Sequence, residues 1–188
     1  MAFNNLSTEI FRKRLLPAAK LIYQQLFPGS QYFDLRPDGE RAHVLDKNFG
    51  IDAVISMPDG SYVTLQEKYR DNMFLINNAF KVDAPIPDFT QEYKNACGTP
   101  NEENGEWFHL TAQLYFYGWS NIVPDFFDEW MILDILKYKM IVYQSGGLHN
   151  IGKLQKNRKH GAASFYCIPL RKIKNAIIYA SQNLHNTL

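Results

Sequence analysis

The stretch that decides the fold is Gly50-Ile51-Asp52-Ala53-Val54-Ile55, followed across Met57-Pro58-Asp59-Gly60-Ser61 by Thr64-Leu65-Gln66-Glu67-Lys68-Tyr69-Arg70. The apolar run around Asp52 and the alternating run from Tyr62 to Arg70 both read as strands, and Pro58-Asp59-Gly60 carries the residues of a tight reversal. A hairpin is therefore expected. Successive side chains of a strand point to opposite faces, so Gln66 and Lys68 share one face, and Asp52 on the neighbouring strand can point the same way. A carboxylate, an amide oxygen and an ammonium then converge at one sheet edge. Oxygen ligands of this kind hold hard divalent cations, and a nearby ammonium orients a water or a phosphate. An ordinary hairpin with an exposed Asp and Lys fits the same local pattern.

Outward from the hairpin, Leu6 to Phe27 reads as a helix. Ser7 is a candidate cap, Ile10, Leu15, Ala18, Ile22 and Leu26 recur near helical spacing, and Pro28-Gly29 ends it; Pro17 is a candidate kink. Gln31 to Leu35 and Arg41 to Leu45 read as short strands around Pro37-Asp38-Gly39. Asp71 to Pro87 has no clear pattern. Phe89 to Tyr93 reads as a strand, Cys97 to Gly105 as a polar loop, and Glu106 to Gly118 as a helix with Gln113 and Tyr117 one turn apart. Then come a strand over Glu129 to Ile135, a helix over Leu136 to Gln144, a strand over Ser164 to Leu170 and a closing helix over Arg171 to Leu184. The fold class is α/β with a mixed sheet (α+β).

The length of 188 residues and a hydrophobic content of 46% fit one domain, 1–188, with a proper core. The apolar runs fall short of a membrane span, and the Met1-Ala2-Phe3-Asn4-Asn5 start lacks a secretory layout, so a cytosolic (cytoplasmic) location is expected. Cys97 and Cys167 form no ligand or disulfide pattern. No Ser-His-Asp grouping can be argued from the scattered histidines, which argues against protein-nucleophile chemistry.

Net charge is +1, but it is divided unevenly. From Ile135 onward there are nine Lys and Arg and no acid, against 11 basic and 19 acidic residues before it. Such polarity favours an anionic partner on one side. Lys153, Lys156, Arg158 and Lys159 lie between Gly152 and Gly161 as a mobile loop would, and could neutralise several phosphates; a solvated basic loop without a ligand fits too.

Gly-x-Asp, a short reversal and a strand ending Gln-x-Lys resemble the active-site hairpin of the PD-(D/E)XK nuclease superfamily, in the Gln-x-Lys variant of Mrr-type endonucleases. Gln66 stands where Asp or Glu is commoner. The resemblance implies a restriction endonuclease-like αβββαβ core over about 6–144, with a β-α extension over 145–188. It implies Mg2+ (or Mn2+) held by Asp52, Gln66 and the Glu67 carbonyl, with Lys68 orienting or activating the attacking water. Gln113 and Tyr117 fit the Gln-x-x-x-Tyr pattern of RecB-type members, though the apolar residues around them equally fit packing against the sheet. Glu9 and Glu92 are candidate extra carboxylates. For Glu9, a helix N-terminus is the competing reading. Arg70 would hold a neighbouring phosphate or pair with Asp71, and Asp46 falls in a loop. The implied activity is hydrolysis of phosphodiester bonds in DNA, with RNA and a homodimer left open. The alternative is a non-catalytic member of the fold that binds nucleic acid or protein.

Overall fold

The computed structural model describes residues 5–36, 40–71, 88–120, 125–156 and 163–188. Helix α1 (Asn5–Leu26) leads into strand β1 (Gln31–Asp34), helix α2 (Glu40–Phe49) and the hairpin of β2 (Ala53–Ser56) and β3 (Tyr62–Asp71). After residue 87 come β4 (Asp88–Asn95), the short β5 (Glu103–Asn104), a single-turn helix α3 (Glu106–His109), β6 (Leu114–Ser120) and β7 (Glu129–Asp134). The chain then forms α4 (Ile135–Gln144), α5 (Leu148–Ile151), β8 (Lys153–Lys156), β9 (Ser164–Pro169) and α6 (Leu170–Ile173). A 3-10 turn, β10 (Ile177–Ala180) and α7 (Gln182–Thr187) follow.

Two sheets result. The larger has the order β1-β2-β3-β6-β7-β10, and the smaller β5-β4-β9-β8. All pairings are antiparallel except β3 with β6, so the larger sheet is mixed. The fold is accordingly mixed α/β.

Burial explains the layering. Leu15, Ala19 and Tyr23 recur at a spacing of four on α1 and pack on Ala53, Ile55, Leu65, Phe116 and Ile132 of one sheet face. The other face presents Tyr115, Tyr117, Trp119, Met131 and Leu133 to Phe89 of β4, Ile168 of β9 and Tyr138 of α4. Gln66, Lys68 and Arg70 alternate with Leu65 and so belong to this second face, at the junction of the two sheets.

Several expected elements differ. Arg41 to Leu45 is helical, within α2, and not a strand. Ser7 lies inside α1 and Pro17 is accommodated within it. Glu106 to Gly118 is not one helix: a single turn is followed by β6, whose residues pair with β3 on one side and β7 on the other. The closing segment breaks into α6, the 3-10 turn, β10 and α7. The strand over Phe89 to Tyr93 exists but joins the second sheet. Pro37-Asp38-Gly39 and residues 72–87 lie outside the described residues.

Candidate functional site

The hairpin closes as its turn residues demand. Met57 N–H donates to the Ser61 carbonyl at 2.8 Å, the Asp59 carboxylate accepts from Ser61 N–H at 2.9 Å, and Gly60 takes φ +83°, which favours glycine. Ala53 pairs with Leu65, and just beyond it the side chain of Asp52 turns inward, its Oδ2 accepting the Glu67 N–H at 2.8 Å. Asp52 is only 3% exposed.

Gln66 is buried as well, and its Oε1 has no hydrogen-bond partner. That oxygen lies beneath Gly50, where an added Cβ would stand 3.5 Å from it and 3.1 Å from Leu110 Cα, at a φ of +56°. Lys68 projects from the same face two residues on and donates to Glu106 Oε2 at 3.0 Å. Glu67 points the other way, as alternation requires. Its carboxylate is enclosed and accepts from Tyr23 OH at 2.7 Å, from Tyr32 OH at 3.0 Å and from the Arg36 guanidinium. Arg36 also reaches Asp52 Oδ2 at 3.5 Å and Asp34 Oδ1 at 3.1 Å, while Arg12 pairs with Asp34 from α1. One guanidinium thus serves three carboxylates.

Burial pushes the Asp52 carboxyl up to about 7 against the opposing pull of Arg36, and the charges of Asp46 and Glu67 add to the rise. Between the ordinary aspartate value and about 7, the folded chain therefore binds a proton that the unfolded chain does not. The stabilisation is fully present below the unfolded value and is lost as pH rises through the folded one. Its size, at about 1.4 kcal/mol per pK unit, is on the order of 4 kcal/mol. Urea unfolding of the metal-free protein across this range should show stability falling toward neutrality, and Asp52→Asn should flatten that fall.

The remaining expected residues scatter. Glu9 lies within α1 and its side chain is outside the described set. Glu92 and Asp46 line a cavity of about 560 Å³ together with Glu103, Glu106 and His109. Asp46 is on α2 rather than in a loop, which brings its charge to bear on Asp52. Gln113 is not on a helix; exposed just before β6, its Oε1 accepts the Thr64 N–H at 2.9 Å. Tyr117 is a core residue, not a surface contact: its hydroxyl lies 2.7 Å from Thr90 Oγ1.

Arg70 is no free phosphate ligand either, because its guanidinium donates to Tyr117 OH at 3.1 Å and Thr90 Oγ1 at 2.6 Å in the interior. Lys153 and Lys156 are exposed, but on strand β8 instead of in a loop, and alternation sends them to opposite faces. Arg158 and Lys159 lie outside the described residues. Lys139, another member of the basic C-terminal part, donates to the Leu110 carbonyl and sits over the Trp107 ring.

Arg36, Glu106, Tyr23 and Tyr32 are the residues sequence reasoning missed. Among the described residues, no group of three or more His, Cys, Asp or Glu is placed to hold a metal ion. Asp52 and Gln66 still offer what a hard cation takes, a carboxylate and an unpaired amide oxygen, with one formal charge between them. No described helix is long and apolar enough to cross a membrane. No family model, curated protein or solved structure matches this chain.

Proposed function

We propose that this chain is a metal-dependent nuclease of the PD-(D/E)XK type that hydrolyses phosphodiester bonds in DNA. The observation that carries the reading is the buried Asp52 carboxylate at the start of the hairpin, bonded to the Glu67 N–H, beside a strand that turns the unpaired Oε1 of Gln66 and the ammonium of Lys68 to one face. The succession α1, β1, β2, β3, with α2 inserted between β1 and β2 and with β6 parallel to β3, supports a restriction endonuclease-like core. The link between β3 and β6 departs from a simple crossover helix, since its described residues pass through the second sheet and carry the single turn of α3.

In this reading Asp52, Gln66 and the Glu67 carbonyl would hold Mg2+ or Mn2+. The ion would acidify a bound water and offset charge building on the phosphate. The protein's own contributions are electrostatic and positional. Asp52 gives up its proton near neutrality, so the cation and a proton compete for it. The Lys68 ammonium is held over the same face by its ion pair and supplies a fixed positive charge to water or phosphate. Arg36 and the Glu67 N–H hold the Asp52 carboxylate in place, at the expense of its affinity for the ion.

That last point favours the second reading, a non-catalytic member of the fold. One experiment divides the two. Purified chain should cleave duplex DNA, single-stranded DNA or RNA with Mg2+ or Mn2+, and Gln66→Glu should bind Mg2+ more tightly and cut at least as fast, because a charged ligand strengthens the site. Absence of cleavage of every form with either ion would leave only the binding role.

A second measurement reports on the grip. If phosphates lie against one face of β8, then Lys153→Gln and Lys156→Gln differ: one should lower the slope of log affinity against log salt by about one, and the other should leave it unchanged. Equal effects would mean that the backbone is held without regard to the strand.

A further inference from the structure

We propose that Glu106 is the positioning residue for Lys68. It fixes the ammonium over the face that Lys68 shares with Gln66 without itself ligating the metal; the catalytic part of this inference rests on the nuclease reading above.

The pair is built into the fold from two distant parts of the chain. Lys68 comes from the middle of β3 and Glu106 from the first residue of α3, and their contact of 3.0 Å is largely shielded, with side-chain exposures of 21% and 12%. A shielded pair of this kind is screened little by salt, and removing one partner strands the other. Glu106 is aimed by its neighbour. Gly105 N–H donates to the Tyr93 carbonyl at 2.9 Å, and a Cβ at Gly105 would stand 2.8 Å from Tyr93 C and 3.0 Å from both Lys94 N and Glu92 Cγ. Backbone so close to β4 admits only glycine, which presses the start of α3 onto the second sheet and sends the carboxylate back toward the first.

The surroundings of Glu106 shield its carboxylate from solvent on the side away from Lys68. Its other oxygen, Oε1, is buried, facing the hydroxyl of Tyr115. Tyr115 and Tyr138 are held protonated by burial first and by the Glu106 charge next. Tyr115 pairs with Gln66 across β3 and β6, and Tyr117 with Lys68, so the carboxylate stands beside the strand that carries Gln66 and Lys68. A lysine has four rotatable side-chain bonds, and a flexible ammonium spends little time where chemistry needs it. The carboxylate supplies the missing constraint.

Glu106→Gln keeps the size and removes the charge, and Glu106→Asp keeps the charge on a shorter arm. In both variants and the wild type, amine-reagent labelling of Lys68, read by mass spectrometry, is compared with cleavage kinetics and Mg2+ binding by calorimetry. Lys68 in Glu106→Gln should be labelled at least fivefold faster, kcat should fall at least tenfold, and KM for DNA and Mg2+ affinity should stay within twofold. Glu106→Asp should recover part of the loss. Unchanged labelling overturns the pairing, whether or not the protein cuts. A parallel loss of Mg2+ affinity overturns it too, since Glu106 would then be a ligand. Faster labelling in Glu106→Gln, with a wild-type chain that never cleaves, would retain the ion pair, and would end both its catalytic role and the nuclease reading.

Discussion

Asp52→Asn is expected to lower metal-dependent cleavage by at least about a thousandfold while raising the stability of the metal-free protein at pH 8. Both effects come from one carboxylate. Its negative charge is the only formal charge among the proposed ligands, so its removal takes away most of the attraction for a divalent cation and its water. The same charge is unfavourable in the empty fold at that pH, because burial holds its pKa up to about 7. Asparagine keeps an oxygen to accept the Glu67 N–H, and Arg36 retains Asp34 and Glu67 as partners. A group that costs stability yet carries activity is the usual signature of a functional site. Lys68→Met should lose activity to a similar degree, but with lower stability, because Glu106 is left without its cation. Melting curves beside cleavage assays test the pair of outcomes. A stable Asp52→Asn protein that cleaves at the wild-type rate would remove Asp52 from the chemistry.

The hairpin was legible in the sequence because everything that specifies it is local. Alternation separated Gln66 and Lys68 from Glu67, and Pro58-Asp59-Gly60 marked the turn. Strand β6 was not legible as a strand, and the reason is burial. Tyr115 through Ser120 are buried on both faces, so the period of two that distinguishes a half-exposed strand is erased, and Leu110, Leu114, Tyr115 and Tyr117 imitate a helical stripe. Its aromatic richness was the one available hint. The assignment of β4 to a second sheet depends on pairing with the distant β9, which no local pattern encodes.

The site divides along the same line. Asp52, Gln66 and Lys68 fall within a single motif. Their electrostatic partners do not: Arg36 meets Glu67 across 31 residues and Glu106 meets Lys68 across 38. Arg70 shows the converse. Its position on the face of Lys68 follows from alternation, but whether that face is open there depends on β4, whose Thr90 takes up the guanidinium together with Tyr117.

Arg36→Met should be the most destabilising single change near the site, by about 3–5 kcal/mol at pH 8. The Glu67 side chain has 0% exposure, and Arg36 is the cation that compensates it. Methionine fills a similar volume, so the loss isolates charge from packing. With the guanidinium gone, Glu67 keeps the Tyr23 and Tyr32 hydroxyls, which satisfy its lone pairs but bring no positive charge, while Asp52 loses its nearest cation and Asp34 keeps only Arg12. Protonation then becomes the way to relieve the buried acids, so the variant should regain stability as pH falls toward 5, in a steeper fall-off with rising pH than the wild type. Adding Glu67→Gln should restore a substantial part of the loss, since the amide can still accept from the tyrosines. Urea unfolding of the two single variants and the double variant gives the coupling energy directly. A double variant no more stable than Arg36→Met alone would show that the guanidinium serves Asp52 and Asp34 instead, and that Glu67 is held by its tyrosines.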